Sequence, residues 1–291
     1  MKAFEQMKIA IEMLRKQGIE SAEKEAEIIL SHCLDTDLLS LHRDNPEISD
    51  DVLSRIRECL KRRSAREPMQ YIIGYTEFYG LRISVGPGVL IPRPETELLV
   101  EEAVRMIAQS ALGSRKSRIV DLCTGTGCIA IALAREFPVA EVFGTDISGT
   151  AIRYARQNAG INGVGNVHFL QGSFFDPLRG FFAGSDAQCE ADMVIVNPPY
   201  IPHDDIVHLQ PEIRDWEPTA ALDGGRDGLD AYRLILSEAG NYLQKNGILM
   251  LELGFGQAER VREMAENKGY RNITLKKDYA GIKRIFVAHR E

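Results

Sequence analysis

An uncharged amide, two prolines and a tyrosine follow directly on core-type residues in the stretch DMVIVNPPYIP, residues 192 to 202. A buried strand that ends this way delivers hydrogen-bond acceptors on a stiff corner. The Asn197 side-chain oxygen and the Pro198 carbonyl can both accept, and the fixed φ of Pro198 and Pro199 keeps them aimed. An amide or exocyclic amine nitrogen is a poor nucleophile, because its lone pair is shared with its own π system. Acceptors that grip the NH2 group can align that nitrogen with an electrophilic carbon without first removing a proton. Tyr200 adds a flat face against a planar amide or base. This chemistry gives Asn197, Pro198 and Tyr200 candidate catalytic roles.

A second constellation lies upstream, in RIVDLCTGTGCIAIALA, residues 118 to 134. It reads as a strand, a glycine turn and the start of a helix. Gly125 and Gly127 let a ligand approach the backbone closely, and the helix start offers free N–H groups. Asp146 ends the next strand in VFGTDIS, where its carboxylate can accept both hydroxyls of an adenosine ribose. That pattern serves nicotinamide dinucleotides and S-adenosylmethionine alike, and Gly125-x-Gly127-x-x-Ala130 also fits a dinucleotide fingerprint. Asp121 favours the second cofactor. A carboxylate at the end of the first strand can meet a sulfonium charge, whereas it would repel a pyrophosphate; its other role is a hydrogen bond to the turn.

The elements that position these groups follow from periodicity. In 291 residues there is room for a large domain and a small one. Phe4, Met7, Ile11 and Leu14 recur at helical spacing before Gly18; Ser21 can cap a second helix with Ala26, Ile29, Leu30 and Cys33 inward. Ser49 and Asp50 open another, with Val52 or Leu53, Ile56, and Cys59 or Leu60 inward. Residues 1–66 are therefore expected to be an all-α domain, with a cap or a substrate-recognition module as its two readings. Residues 67–92 mix glycine and proline with β-branched and aromatic residues, as a β-hairpin linker does. From residue 93 to 291, strands are expected at 118–122, 141–147, 167–171, 192–196, 247–253, 271–275 and 283–288, with helices between the early ones. That alternation specifies an α/β, Rossmann-like, doubly wound domain built on a parallel sheet with helices on both faces.

Bulk properties exclude several classes. No apolar run approaches the ~20 residues of a membrane helix, and MKAFEQMKIA has the character of neither a secretory signal nor a transit peptide. Five cysteines without framework spacing suit a reducing cytosol, so a cytoplasmic protein with no membrane partner is expected. The net charge of −7 argues against a protein whose main task is gripping duplex DNA, and no stable nucleic-acid binding is expected. The basic run RIRECLKRRSAR, 55–66, has two readings, a solvated helix face or a docking surface for an acidic protein or RNA. Cys123 and Cys128 find no further Cys or His at ligand spacing, so no metal is expected. His203 and His208, with Asp204 and Asp205, read as a surface cluster; Trp216 sits in a loop that either covers the site or packs.

Across nearly its whole length the sequence resembles the N5-glutamine methyltransferases of the PrmC/HemK family. The resemblance rests on EPMQYIIGYTEFYGLRISVGPGVLIPRPETELLV (67–100), DLCTGTGCIAIALA, NPPYI, PEIRDWEPTAALDGGRDGLDAYR (211–233) and DYAGIKRIFVAHR (278–290). It implies a seven-stranded class I methyltransferase domain that uses S-adenosylmethionine, releases S-adenosylhomocysteine, and methylates the Gly-Gly-Gln glutamine of peptide chain release factors. By the same resemblance, Thr124, Gly125, Thr126, Gly127, Asp146, Ser173 and Phe174 contact the donor; Asn197 and Asp121, the latter read above from its place at the strand end, complete the expected cofactor-binding set. Asn197, Pro198, Pro199 and Tyr200 would hold the glutamine, with Arg93, Glu95 and Thr96 at the pocket rim. Two residues depart from the pattern: Cys123 where glycine is frequent, and Ser173 where an acid is frequent. The competing functions are a ribosomal-protein glutamine methyltransferase, an adenine-N6 methyltransferase acting on a flipped base, and an NAD-dependent oxidoreductase. The last leaves Asn197 to Tyr200 without a task.

Overall fold

The computed structural model describes residues 1–109, 117–181 and 191–291. The chain divides into two units, residues 1–75 together with 210–216, and residues 76–209 together with 217–291. In the first unit, α1 (Ala3–Lys16), α2 (Ala22–Leu34), α3 (Leu38–Asp44), α4 (Asp50–Ser64) and α5 (Met69–Ile73) follow one another in short order. Met7, Ala10 and Leu14 of α1 bury against Ala26, Ile29, Leu30 and Cys33 of α2 and Ile56 and Leu60 of α4. Phe4 and Ile11 lie at the border of this core, because Ala3 and Ala10 turn inward in their place. Ser49 caps α4 by accepting from the Val52 N–H, whereas the Ser21 hydroxyl donates to Glu25 and caps nothing.

The basic run of α4 divides: Arg55, Arg57 and Lys61 are exposed on a solvated face, whereas the arginines at its end are paired. Arg63 is buried, donates to Glu25 at 2.6 Å, and donates to Glu212 at 2.9 Å. Arg66 reaches the other Glu212 oxygen at 2.9 Å, and Arg62 pairs with Glu67. Three arginines are thereby neutralised by carboxylates of their own unit. Glu212 lies in the short helix that joins this unit from far along the chain, and buried ion pairs of this kind hold only when both partners are present.

The second unit starts with the hairpin of β1 (Tyr75–Phe78), whose first residue belongs to the helical unit, and β2 (Leu81–Ser84). Its two-residue turn places Tyr79 at φ 49° and Gly80 at φ 66°, the left-handed pair that matches strand twist. α6 (Pro94–Ala108) follows, with proline in its first turn where no N–H is required. The remaining elements are β3 (Arg118–Leu122), α7 (Cys128–Glu136), β4 (Glu141–Asp146), α8 (Gly149–Ile161), β5 (Val167–Gln171), α9 (Asp176–Phe181), β6 (Ala191–Val196), α10 (Pro211–Arg214), α11 (Asp230–Glu238), β7 (Leu243–Glu252), α12 (Ala258–Asn267), β8 (Arg271–Lys277) and β9 (Lys283–His289). Of these, α10 belongs to the helical unit.

The seven strands β3 to β9 form one sheet in the order β5-β4-β3-β6-β7-β9-β8. β5, β4, β3, β6 and β7 run parallel, and β9 is antiparallel to both β7 and β8. β7 begins at Leu243, earlier than its apolar run suggests, because Asn246 at φ 62° accommodates a register shift against β6. Every residue of β6 is buried, between β3 on one side and β7 on the other. Each of its Met, Val and Ile side chains contributes roughly 1.5–3 kcal/mol by leaving water. Successive strands depart to opposite sides of β3, toward β4 and then toward β6. A crevice therefore opens at the carboxyl ends of these strands. Among the described residues no helix is long and apolar enough to cross a membrane.

Candidate active site

A cavity of about 360 Å³ occupies that crevice. Its floor is the turn after β3. Cys123 at φ 55°, Gly125 at φ 55° and Gly127 at φ 80° are all left-handed. Cys123 takes this conformation despite its Cβ, which answers how a non-glycine residue is tolerated there: the strain is local and typically about 1–3 kcal/mol. Gly127 has no such latitude. A Cβ on it would lie 2.9 Å from Phe169 and 3.0 Å from Ala155. The fully buried Asn158 of α8 holds the turn from outside, donating to the Thr126 carbonyl and bridging both backbone groups of Ser84 in the hairpin.

Asp121 does not face the cavity. It is completely buried beneath the turn, where Oδ2 accepts from the Thr124 hydroxyl and from the Ala130 N–H. Among the described residues Oδ1 has no partner. Burial raises this carboxyl to about 7, opposed by those two donors and reinforced by the charge of Asp146. The expectation of a direct contact with a sulfonium is thus corrected. The side chain ties the turn to the first turn of α7 and is sealed from ligand by it.

Asp146, at the end of β4, does line the cavity. Its Oδ2 accepts from the Gly125 N–H at 2.9 Å and its Oδ1 from the Ser148 N–H at 2.8 Å. Each oxygen retains a lone pair, so the carboxylate can brace the glycine turn and still accept a ligand hydroxyl. Burial raises its carboxyl, and the two N–H groups oppose that rise. Ser173 and Phe174 come from the segment after β5. Phe174 is left-handed at φ 40°, and its carbonyl accepts from the buried Thr145 hydroxyl at 2.7 Å.

On the opposite wall, Asn197 emerges from β6. Its Nδ2 donates to Thr96 Oγ1 at 3.1 Å, and that hydroxyl donates to Glu252 Oε2 at 2.6 Å. The Tyr200 hydroxyl donates to Glu252 Oε1 at 3.2 Å. Burial, and then the negative charge of Glu252, push the Tyr200 phenol upward, so it keeps its proton. Gln257 donates to the Tyr200 carbonyl at 2.8 Å, and Gly254 approaches the ring where a Cβ would stand 3.0 Å away. The rim is fastened by Glu217, which is buried, accepts from Arg93 at 2.7 Å and accepts from the Ile91 N–H at 3.3 Å. This pins Pro218, Ala220 and Ala221 against the stretch around Pro92 and Arg93, all in the cavity wall.

The cavity thus gathers Thr124, Gly125, Thr126, Asp146, Ser173 and Phe174 with Asn197, Pro199, Arg93 and Thr96. Asp121, Gly127, Pro198, Tyr200 and Glu95 are not in its wall. Gly127 shapes the turn from behind, Pro198 is buried at the corner, and Glu95 is exposed in the first turn of α6. Thr96, expected at the rim, is instead buried as the link between Asn197 and Glu252. Glu252, Glu217 and Asn158 were not anticipated. Only Glu252 leaves a mark in the sequence, as a lone carboxylate closing the apolar run GILMLE. Cys128 is pushed to about 12 and Cys123 also rises, both by burial, so neither thiol offers a thiolate. His203 pairs with Asp223 at 2.7 Å on an exposed loop, away from the cavity wall.

Comparison with known proteins bears on both units. Residues 5–74 match the family described as PrmC N-terminal domain, and residues 114–280 match a methyltransferase domain family. The release factor glutamine methyltransferase of Thermodesulfovibrio yellowstonii is 43% identical over 265 residues, 91% of either chain. That of Geobacter sulfurreducens is 43% identical over 274 residues, 94% of this chain and 91% of its own. That of Aliivibrio fischeri is 39% identical over 281 residues, 96% and 94% of the two chains. Among solved structures, a methyltransferase from Pyrococcus furiosus superposes with a TM-score of 0.51 at 18% identity, over 83% of this chain and 99% of that one. The hMettl16 catalytic domain gives 0.53 at 16% identity over 82% of each chain. These two show the fold alone: the doubly wound sheet is that of a class I methyltransferase. Identity at this level over almost the full length, in both units, means that the chain belongs to the release factor glutamine methyltransferase family.

Proposed function

We propose that this protein transfers a methyl group from S-adenosylmethionine to the side-chain amide nitrogen of the Gly-Gly-Gln glutamine in peptide chain release factors. The observation that carries the reading is the pairing of two walls in one cavity. The Gly125 turn and Asp146 stand on one side, and Asn197, its amide nitrogen committed to Thr96, stands on the other. When bound, the donor supplies an electrophilic methyl carbon on a sulfonium.

The donor set fits that group. Asp146 has acceptor capacity for ribose hydroxyls, and the glycine turn with the start of α7 offers close backbone approach. Phe174 and Ser173 provide an apolar face and a hydroxyl for the adenine. For the acceptor, the Asn197 Oδ1, which the cavity wall presents, takes a hydrogen of the glutamine NH2 group and holds its nitrogen toward the methyl carbon. As that nitrogen gains positive charge, the same oxygen stabilises it. An N-alkylated, N-protonated amide is acidic enough to release its proton to water, so no general base is required. Tyr200, whose phenol stays protonated, packs beside the corner. The helical unit is proposed to recognise the release factor outside the cavity.

Mass spectrometry of a release factor incubated with the protein and methyl-labelled donor tests the reading. The expected product is a single added methyl on the glutamine of Gly-Gly-Gln. A release factor recovered without it would refute the assignment.

A further inference from the structure

Glu252 is an ionisable side chain beside the site for which the reaction above has no use. It is the last residue of β7, is almost fully buried, and follows Leu251, which pairs with Val196 just before Asn197. Both of its oxygens are engaged, Oε2 by Thr96 of the cavity wall and Oε1 by Tyr200 at the corner behind it. Burial raises the Glu252 carboxyl, and the Thr96 and Tyr200 hydroxyls and the Arg284 charge oppose that rise by favouring the carboxylate. A carboxylate only accepts, and a threonine hydroxyl has one proton to give. With that proton donated to Glu252, Thr96 meets Asn197 as an acceptor only. The Asn197 amide must therefore offer its NH2 end to Thr96, which turns its oxygen the other way.

We propose that Glu252 is a positioning residue that sets the orientation of the Asn197 amide through Thr96 and anchors Tyr200 in the same step. The proposal rests on the functional reading above and deepens it. The Asn197 oxygen grips an NH2 group only if the amide is not reversed, and reversal would set an NH2 group against an NH2 group. Without an acceptor at Glu252, the Thr96 hydroxyl is released to donate to the Asn197 oxygen, and reversal follows. The device acts through two intervening hydrogen bonds and touches neither substrate nor donor. Its signature is accordingly a loss of turnover with binding preserved.

Three variants test this: Glu252→Met, which keeps apolar bulk and loses the acceptor; Thr96→Val, which keeps shape and loses the hydroxyl; and Thr96→Ser, which restores the hydroxyl. Steady-state kinetics are measured on release factor, with donor affinity from calorimetry. Glu252→Met and Thr96→Val are expected to lower kcat about 10- to 100-fold, in the range of one mis-set oriented hydrogen bond. KM for release factor and donor Kd should stay within about twofold. Thr96→Ser should recover to within about threefold of the parent kcat. Turnover near parental in Thr96→Val, or an equal fall in Thr96→Ser and Thr96→Val, would overturn the proposal, even where Glu252→Met failed to fold. A parent enzyme that left release factor unmodified would refute the functional reading instead. The Asn197–Thr96 bond is then followed by hydrogen exchange of the ¹⁵N-labelled Asn197 side-chain amide. Protection present in the parent and Thr96→Ser but lost in Thr96→Val supports the link, and equal exchange in all three overturns it.

Discussion

Asp121→Asn offers a measurement whose size follows from geometry. The parent carboxyl is sealed under the glycine turn, with one oxygen unpartnered among the described residues, and burial raises it from 3.8 to about 7. In the unfolded chain it ionises near the lower value. Between roughly pH 4 and pH 7 the native protein therefore keeps a proton that the unfolded chain gives up. Stability owed to this group is fully present below the lower value and is lost as pH rises toward the higher one. Each pH unit is worth about 1.4 kcal/mol, so the window of about 3 units amounts to about 4 kcal/mol. Asparagine has no charge in either state and contributes no such slope, while the other carboxyl groups are common to both proteins and cancel. Urea unfolding followed by circular dichroism at several pH values from 4 to 8 gives the stability difference, variant minus parent. That difference should climb by up to about 4 kcal/mol across the window and level off above pH 7. A difference constant with pH would refute the inference that burial holds Asp121 protonated.

Three further outcomes are expected. Asn197→Ala should leave donor Kd within about twofold in calorimetry and lower turnover on release factor about 10²- to 10³-fold, the size of one removed transition-state hydrogen bond. Asp146→Ala should weaken donor binding about 10- to 100-fold, because a charged acceptor contributes ~1.5–3 kcal/mol; an unchanged calorimetric affinity would remove the ribose contact. Arg63→Ala leaves Glu25 and Glu212 facing each other without their shared cation, and should destabilise the helical unit by about 3 kcal/mol in thermal unfolding.

Much of the site was readable because its parts are contiguous. The turn from Cys123 to Gly127 and the corner from Asn197 to Tyr200 are each a few residues of unusual type next to an apolar strand, and strand ends converge in a doubly wound sheet. Asp121 was read correctly as part of the turn but with the wrong neighbour in prospect. Whether a carboxylate at a strand end faces the crevice or the helix behind it depends on side-chain direction, which residue type does not reveal. The pairing of Arg63 and Arg66, at the end of the basic run, was hidden for a related reason, since one carboxylate that neutralises them is Glu212, far along the chain.

Local pattern alone determined the succession of sheet strands, the glycine turn, the rigid acceptor corner and the absence of a stretch suited to a membrane helix, because periodicity and backbone restriction act over a few residues. Tertiary structure alone decided how the acceptors are held. Thr96 and Glu252 meet across 156 positions, Arg93 and Glu217 across 124, and Ser84 and Asn158 across 74. These pairs are made by strand order and helix packing. No local rule couples such distant positions, so the groups that steady the site become visible only once the sheet has brought them together.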